Sequence, residues 1–150
     1  MSLTSKNVIV LDNVRGSKMS LIEYPFPADP SSTGYCVFPD ELERDDLVVF
    51  HATPIANFEP ILTNGFKIPD PSGTNPLRSV SFAKKSCTAL DHAIRKRRDR
   101  PGEYCIFVVR YQSLDRQGVV INVSDIHDYT PDPPRHIVGY CKVPAAYRHV

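Results

Sequence analysis

The 150 residues carry 18 Lys and Arg against 17 Asp and Glu, and the formal net charge of +1 excludes a general electrostatic pull toward nucleic acid or acidic membranes. With 41% hydrophobic and 23% charged residues the chain has the composition of a single soluble domain able to bury a core, which excludes a disordered or fibrous protein. The four cysteines, Cys36, Cys87, Cys105 and Cys141, include no C-x-x-C pair, so no metal site is expected, and Cys105 and Cys141 lie in apolar runs as buried thiols do.

The N-terminal stretch lacks the apolar core of a signal peptide, and no run approaches the roughly 18 apolar residues of a membrane span. The expectation is a soluble, monomeric protein with no membrane partner, cytoplasmic or delivered into the cytoplasm of a target cell. One domain is expected over 1–150, with an irregular N-terminal segment over 1–46. Within it Asn7 to Leu11 reads as a short strand, and Tyr24 to Pro39 (YPFPADPSSTGYCVFP) as a loop held by aromatic anchors.

Leu47 to Phe50 is a short apolar run typical of a buried strand. Pro54 suits the first turn of a helix, where its missing N–H is not needed. Ile55, Phe58, Ile61 and Leu62 then form one apolar helical face, and Gly65 ends it. A proline-rich loop follows Phe66 to Ile68. Ser79 to Ala83 reads as a strand, and Ser86 as the N-cap of a helix with Ala89, Leu90, Ala93 and Ile94 on one face. That helix ends in the basic run Arg95 to Arg98, which reads as a solvated helix end or, more sharply, as a phosphate contact. Tyr104 to Tyr111, Val119 to Val123 and His136 to Val143 are strands. An order β-α-β-α-β-β-β has too few helices for a doubly wound sheet and predicts an α+β domain of two small packed sheets.

The succession of strand, His51-Ala52-Thr53, short helix, Gly65-Phe66, loop, Ser79-Val80-Ser81-Phe82-Ala83 and a Ser86-started helix resembles the NAD-binding half of the ADP-ribosyltransferase superfamily. The likeness is to its diphtheria-toxin and poly(ADP-ribose) polymerase branch, in which a strand bears His-Gly-Thr and a second strand Tyr-Phe-Ala. The closing Val143-Pro144-Ala145-Ala146-Tyr147 is similar to the Pro-x-x-Tyr ending of polymerase-type enzymes and of NAD-dependent tRNA 2′-phosphotransferases. The resemblance spans roughly residues 47 to 147. It implies a split β-sandwich with two or more short helices, NAD as co-substrate, and transfer of ADP-ribose to a protein or nucleic-acid acceptor with release of nicotinamide.

The resemblance also implies roles. The backbone of Ala52 would bracket the nicotinamide carboxamide, and His51 would donate to a ribose hydroxyl, beside Thr53. Ser81 stands where the family has a ring-stacking tyrosine, so stacking falls to Phe66, Phe82 or Tyr140. Ser86 or Thr88 would reach the carboxamide. Ser79-Val80-Ser81 is also similar to the Ser-x-Ser element of arginine-directed bacterial toxins.

One departure matters most. The family carries a catalytic carboxylate on the last strand, whereas Pro133 to Tyr140 holds no Glu or Asp. Asp132 is the nearest substitute, ahead of Asp128 and Asp125. The departure leaves a mono-ADP-ribosyltransferase working by substrate assistance, an RNA 2′-phosphotransferase-like enzyme using Arg78, Arg95 and Arg135, or an inactive module of the same fold that binds a protein, NAD or ADP-ribose. An unrelated α+β interaction domain is the remaining alternative. His92, His127 and His149 read as structural, and the spacing in Asp125-Ile126-His127-Asp128 fits no common metal site.

Overall fold

The computed structural model describes residues 7–12, 18–66, 79–130 and 135–148. The elements are β1 (Asn7–Asp12), β2 (Lys18–Tyr24), α1 (Asp40–Glu43), β3 (Val48–Pro54), α2 (Phe58–Asn64), β4 (Val80–Ala83), α3 (Ser86–Lys96), β5 (Tyr104–Tyr111), β6 (Val119–Ile121), β7 (Asp125–Asp128) and β8 (Arg135–Val143). The mixed α+β class and the short helices agree with the sequence reading, which missed β2, α1 and β7. The eight strands are hydrogen-bonded in the order β1-β2-β8-β5-β3-β4-β7-β6.

β5 is the spine. Its residues Tyr104 to Val109 are buried, and it pairs antiparallel with β3 on one side and β8 on the other. The β3 pairing runs from Val48↔Arg110 to Pro54↔Tyr104, so β3 extends past Phe50 and takes in His51, Ala52 and Thr53. Pro54 therefore ends a strand rather than opening a helix. A 3-10 turn over Ile55–Asn57 comes next, before α2. Ile55, Phe58, Ile61 and Leu62 pack on one core, as their spacing predicted, and Gly65 closes α2 at φ +77°.

Each face of the sheet has its own core. On one, Ala89, Leu90 and Ala93 of α3, with Val37, Phe38 and Leu42, cover Val48, Phe50, Ile106 and Val108. On the other, Val80, Phe82 and Ile126 from β4 and β7 join Val49, Phe107 and Val109 from β3 and β5, under α2. The two halves of the sheet, β1-β2-β8-β5-β3 and β4-β7-β6, meet through a single residue pair, Phe50↔Ala83. Among the described residues no helix is long and apolar enough to cross a membrane.

A bulge in the β5–β8 pairing lies between Val108 and Val109, and Gly139 beside it pairs with Ile22 of the parallel neighbour β2. A Cβ on Gly139 would lie 2.7 Å from the Ile22 carbonyl oxygen and 2.8 Å from the Tyr24 ring. Because the first obstacle is backbone, relief requires β2 to move. Gly139→Ala should cost about 2 kcal/mol or more in urea unfolding, with no direct effect at β3 or β4.

Candidate functional site

Among the described residues, no backbone group pairs with Ala52 on the β4 side of β3. Tyr111 N–H donates to the Leu47 carbonyl at 2.9 Å and Ile55 N–H to the Glu103 carbonyl at 3.0 Å, bounding the constant β3–β5 register. Odd-numbered residues of β3 thus face β5 with their N–H and C=O, and the even-numbered ones turn these groups away. Pro54, which has no N–H, falls on an even position, as this alternation requires. Phe50 spends its outward groups on Ala83, but the β3–β4 register ends there. Ala52 comes next, so its N–H and C=O open side by side into the gap opposite Ser81. Tyr35 is the one non-glycine residue with positive φ among those described, so the Ala52 methyl sits on ordinary strand backbone.

The gap widens into a cleft in three parts, of about 300, 430 and 330 Å³, all walled by His51 and Lys96. Ala52, Ser81, Phe82, Asp125, His127 and His92 line the first part. Thr53, Phe66 and Ser79 line the second, and Ala52, Thr53, Asp99 and Arg100 the third. α3 presents Ala89, His92 and Lys96 to this cleft at three- and four-residue spacing.

His51 bridges the gap. Its Nδ1 lies 2.7 Å from the Ser81 carbonyl, which can only accept, so Nδ1 carries the proton. Phe66 and Phe82 meet the imidazole edge-on at 5.0 and 5.7 Å. Burial is the main reason its pKa falls to about 4; the nearby Lys96, Arg135 and His92 add to this, and the bond to Ser81 opposes it. The ring is therefore neutral at physiological pH, and its free Nε2 accepts. This reverses the donor role assigned from sequence: a ribose hydroxyl would donate to His51.

Several expected residues are placed elsewhere. Ser86 is fully buried and is the first helical residue, not the N-cap. Its hydroxyl donates to Glu43 Oε2 and accepts the Val37 N–H at 2.9 Å, while its own N–H donates to Glu43 Oε1 at 3.2 Å. It pins α3 to the N-terminal segment and cannot serve a carboxamide. Thr88 lines none of the three parts of the cleft. Tyr140 lies two strands from β3, where its hydroxyl donates to Glu23 at 2.7 Å and its ring packs on Phe58 at 4.6 Å, so it cannot stack in the cleft. Thr53 is buried and accepts from Asn57 Nδ2 at 2.8 Å. Asp132 and Arg78 lie outside the described residues.

The basic run divides. Arg95 pairs with Asp91 on the surface, and buried Arg97 donates to the carbonyls of Gly102, Val143, Pro144 and Tyr147. Lys96 alone of the run reaches the cleft. On β8, Arg135 lies over Phe66, Phe82 and Tyr111 and pairs at 3.0 Å with Asp128, which is fully buried and also bound by Tyr111 and Thr130. Asp128 is thereby removed as a candidate acid. Neither Arg95 nor Arg135 supplies the free cation that a 2′-phosphotransferase pocket would need.

Sequence reasoning weighs Asp125 only as a distant substitute acid and His127 as structural, and does not bring the two together at the cleft. His127 Nδ1 lies 2.9 Å from Ser79 Oγ and 3.0 Å from Ser81 Oγ, and its Nε2 lies 3.4 Å from Asp125 Oδ2. The i, i+2 spacing of Asp125 and His127 was the available signal, once the segment is read as a strand.

Ser86→Ala should lower stability by about 2 kcal/mol in urea unfolding, because it strips a donor from Glu43 and strands the buried Val37 N–H. His51 gives a second test. Its folded pKa lies below the unfolded value, so its contribution is complete above about pH 6.5 and is lost as pH falls toward about 4. Subtracting the unfolding free energies of His51→Gln from wild type across this range should reveal a loss of up to about 3 kcal/mol. Comparison with protein-family models, curated proteins and solved structures finds no match.

Proposed function

We propose that this chain is an NAD-dependent mono-ADP-ribosyltransferase with the split β-sandwich of that superfamily, transferring ADP-ribose to a macromolecular acceptor and releasing nicotinamide. The observation that carries the reading is the opening between β3 and β4, with the Ala52 N–H and C=O side by side at its mouth. A primary carboxamide offers one acceptor and one donor that match this arrangement, as does the backbone of an added peptide strand. The cleft volumes are of the size that small-molecule sites use.

In this reading Phe66 and Phe82 form the apolar floor through their contact with His51. Neutral His51 accepts a ribose hydroxyl at Nε2 and so fixes the sugar beside the nicotinamide. Lys96, reaching all three parts of the cleft, meets the diphosphate. The sheet separates along the length over which these groups are spread, which suits an extended dinucleotide better than a compact metabolite.

A second reading, an inactive module of the same fold that binds NAD, ADP-ribose or a protein, is favoured by one fact: the first residue of β8 is an arginine locked to Asp128, not a free acid.

Isothermal titration with NAD and with benzamide tests the proposal. Benzamide retains the ring and carboxamide, whereas benzoate lacks the donor. Wild type should bind NAD and benzamide at micromolar to millimolar concentration and reject benzoate. His51→Ala should weaken NAD by about tenfold or more with the fold retained by circular dichroism. Ala52→Pro removes the N–H without touching the β5 pairing and should abolish benzamide binding. No binding of NAD or benzamide to wild type at millimolar concentration would overturn the reading, and binding without nicotinamide release would favour the inactive module.

A further inference from the structure

We propose that Asp125 of β7 is the carboxylate that stabilises the cationic transition state of ribosyl transfer, in place of an acid on the last strand; the proposal rests on the NAD-transfer reading above. Asp125 pairs in register with Ala83, and His127 with Ser81, so β7 lies directly beyond β4 across the cleft from β3. Asp125 lines the same part of the cleft as Ala52, His51 and Ser81. Two strand spacings, about 10 Å, separate β7 from β3. β4 fills that interval, so a ring held at Ala52 would turn its sugar toward Asp125 over β4, within the part of the cleft that Ala89 and His92 of α3 also line.

The carboxylate is held from both sides. Asn122 Nδ2 donates to Oδ1 at 2.8 Å, and His127 Nε2 stands within ion-pair reach of Oδ2 at 3.4 Å. With the Nε2 proton turned to Asp125, His127 Nδ1 accepts from the Ser79 or Ser81 hydroxyl, tying the pair to β4. Each carboxylate oxygen keeps a lone pair for a ligand. Side-chain exposures of 37% for Asp125 and 30% for His127 leave both within reach of one. Asp128 presents the opposite case, fully buried with its oxygens committed to Tyr111, Thr130 and Arg135. Asp99 also borders the cleft, in a different part beside Lys96 and Arg100.

The step balances without a further reagent. The bond between the ribose anomeric carbon and the pyridinium nitrogen breaks, and its electron pair leaves on nicotinamide. Water or the acceptor nucleophile gives a pair to the same carbon and loses its proton to solvent. Asp125 stays ionised and faces the positive charge that develops on the sugar between these events.

Two measurements on Asp125→Asn test this. Nicotinamide release should fall about 100-fold or more while NAD affinity changes by less than about threefold. Separately, a cationic iminoribitol analogue of the sugar should bind wild type at least about tenfold tighter than its neutral ring-oxygen counterpart, and Asp125→Asn should erase that preference. His127→Ala should slow release about tenfold in wild type but add nothing in the Asp125→Asn background, as expected of a positioning residue acting through Asp125.

If wild type turns over NAD but Asp125→Asn keeps its rate within about threefold, or if Asp99→Asn causes the loss instead, the inference fails and the NAD-transfer reading stands. Wild type that binds NAD and benzamide but releases no nicotinamide overturns the inference and leaves a binding module. Wild type that binds neither overturns both.

Discussion

β3 and β4 are joined by one residue pair, Phe50 with Ala83, and then by a side chain, as His51 donates to the Ser81 carbonyl. Every feature of the cleft follows from that change of partner. Past the junction the even-numbered backbone groups of β3 lose their ladder, and Ala52 is the first to do so. The strands stay apart because each is held by something else. β3 is clamped along its whole length by β5, while Val80, Phe82 and Ile126 turn β4 and β7 onto the opposite core. An open backbone pair at a sheet junction is costly when it is buried. Here it faces a cleft, where solvent or ligand satisfies it.

The surroundings hold the opening at fixed width. α3 packs Ala89, Leu90 and Ala93 on the face bearing Phe50 and Ala83, which spans the junction from behind. Its first turn is tied through Ser86 to Glu43 and Val37. Past its last turn, Arg97 gathers four carbonyls from the chain after α3 and the C-terminal strand. Anchored at both ends, α3 presents His92 and Lys96 at the cleft. Burial, helped by the positive charges of Lys96 and Arg135, keeps His51 neutral. Among the described residues the cleft thus carries Lys96 and Arg100 beside Asp99 at the end of α3, and Asp125 on β7.

Much of this was legible in the sequence. The Tyr104 to Tyr111 run marks the spine and the spacing of Ile55, Phe58, Ile61 and Leu62 marks α2, while His51, Gly65-Phe66 and Ser79–Ala83, which the sequence groups by order, line adjoining parts of one cleft. The errors are equally physical. Local grammar makes Ser86 a cap, but a half-buried carboxylate 43 residues away in sequence claims its hydroxyl and its N–H. Tyr140 has the right chemistry to stack but lies two strands from His51, because strand order is not a local property. β7 went unseen since Asp-Ile-His-Asp buries only Ile126 and Asp128, and a buried aspartate breaks the apolar alternation by which strands are recognised. With β7 missing, Asp125 ranks behind Asp132 as a candidate acid and His127 reads as structural.

The most direct test of the account is the Ala52 amide itself. In protein labelled with ¹⁵N-alanine, titration with benzamide should move the Ala52 cross-peak downfield in the proton dimension as its N–H takes up the carboxamide oxygen. Ala89, which lines the cleft from α3 with its amide already inside the helix, should move far less. A titration that shifts other alanines and leaves Ala52 in place would contradict the central claim that the cleft is built around this open backbone pair.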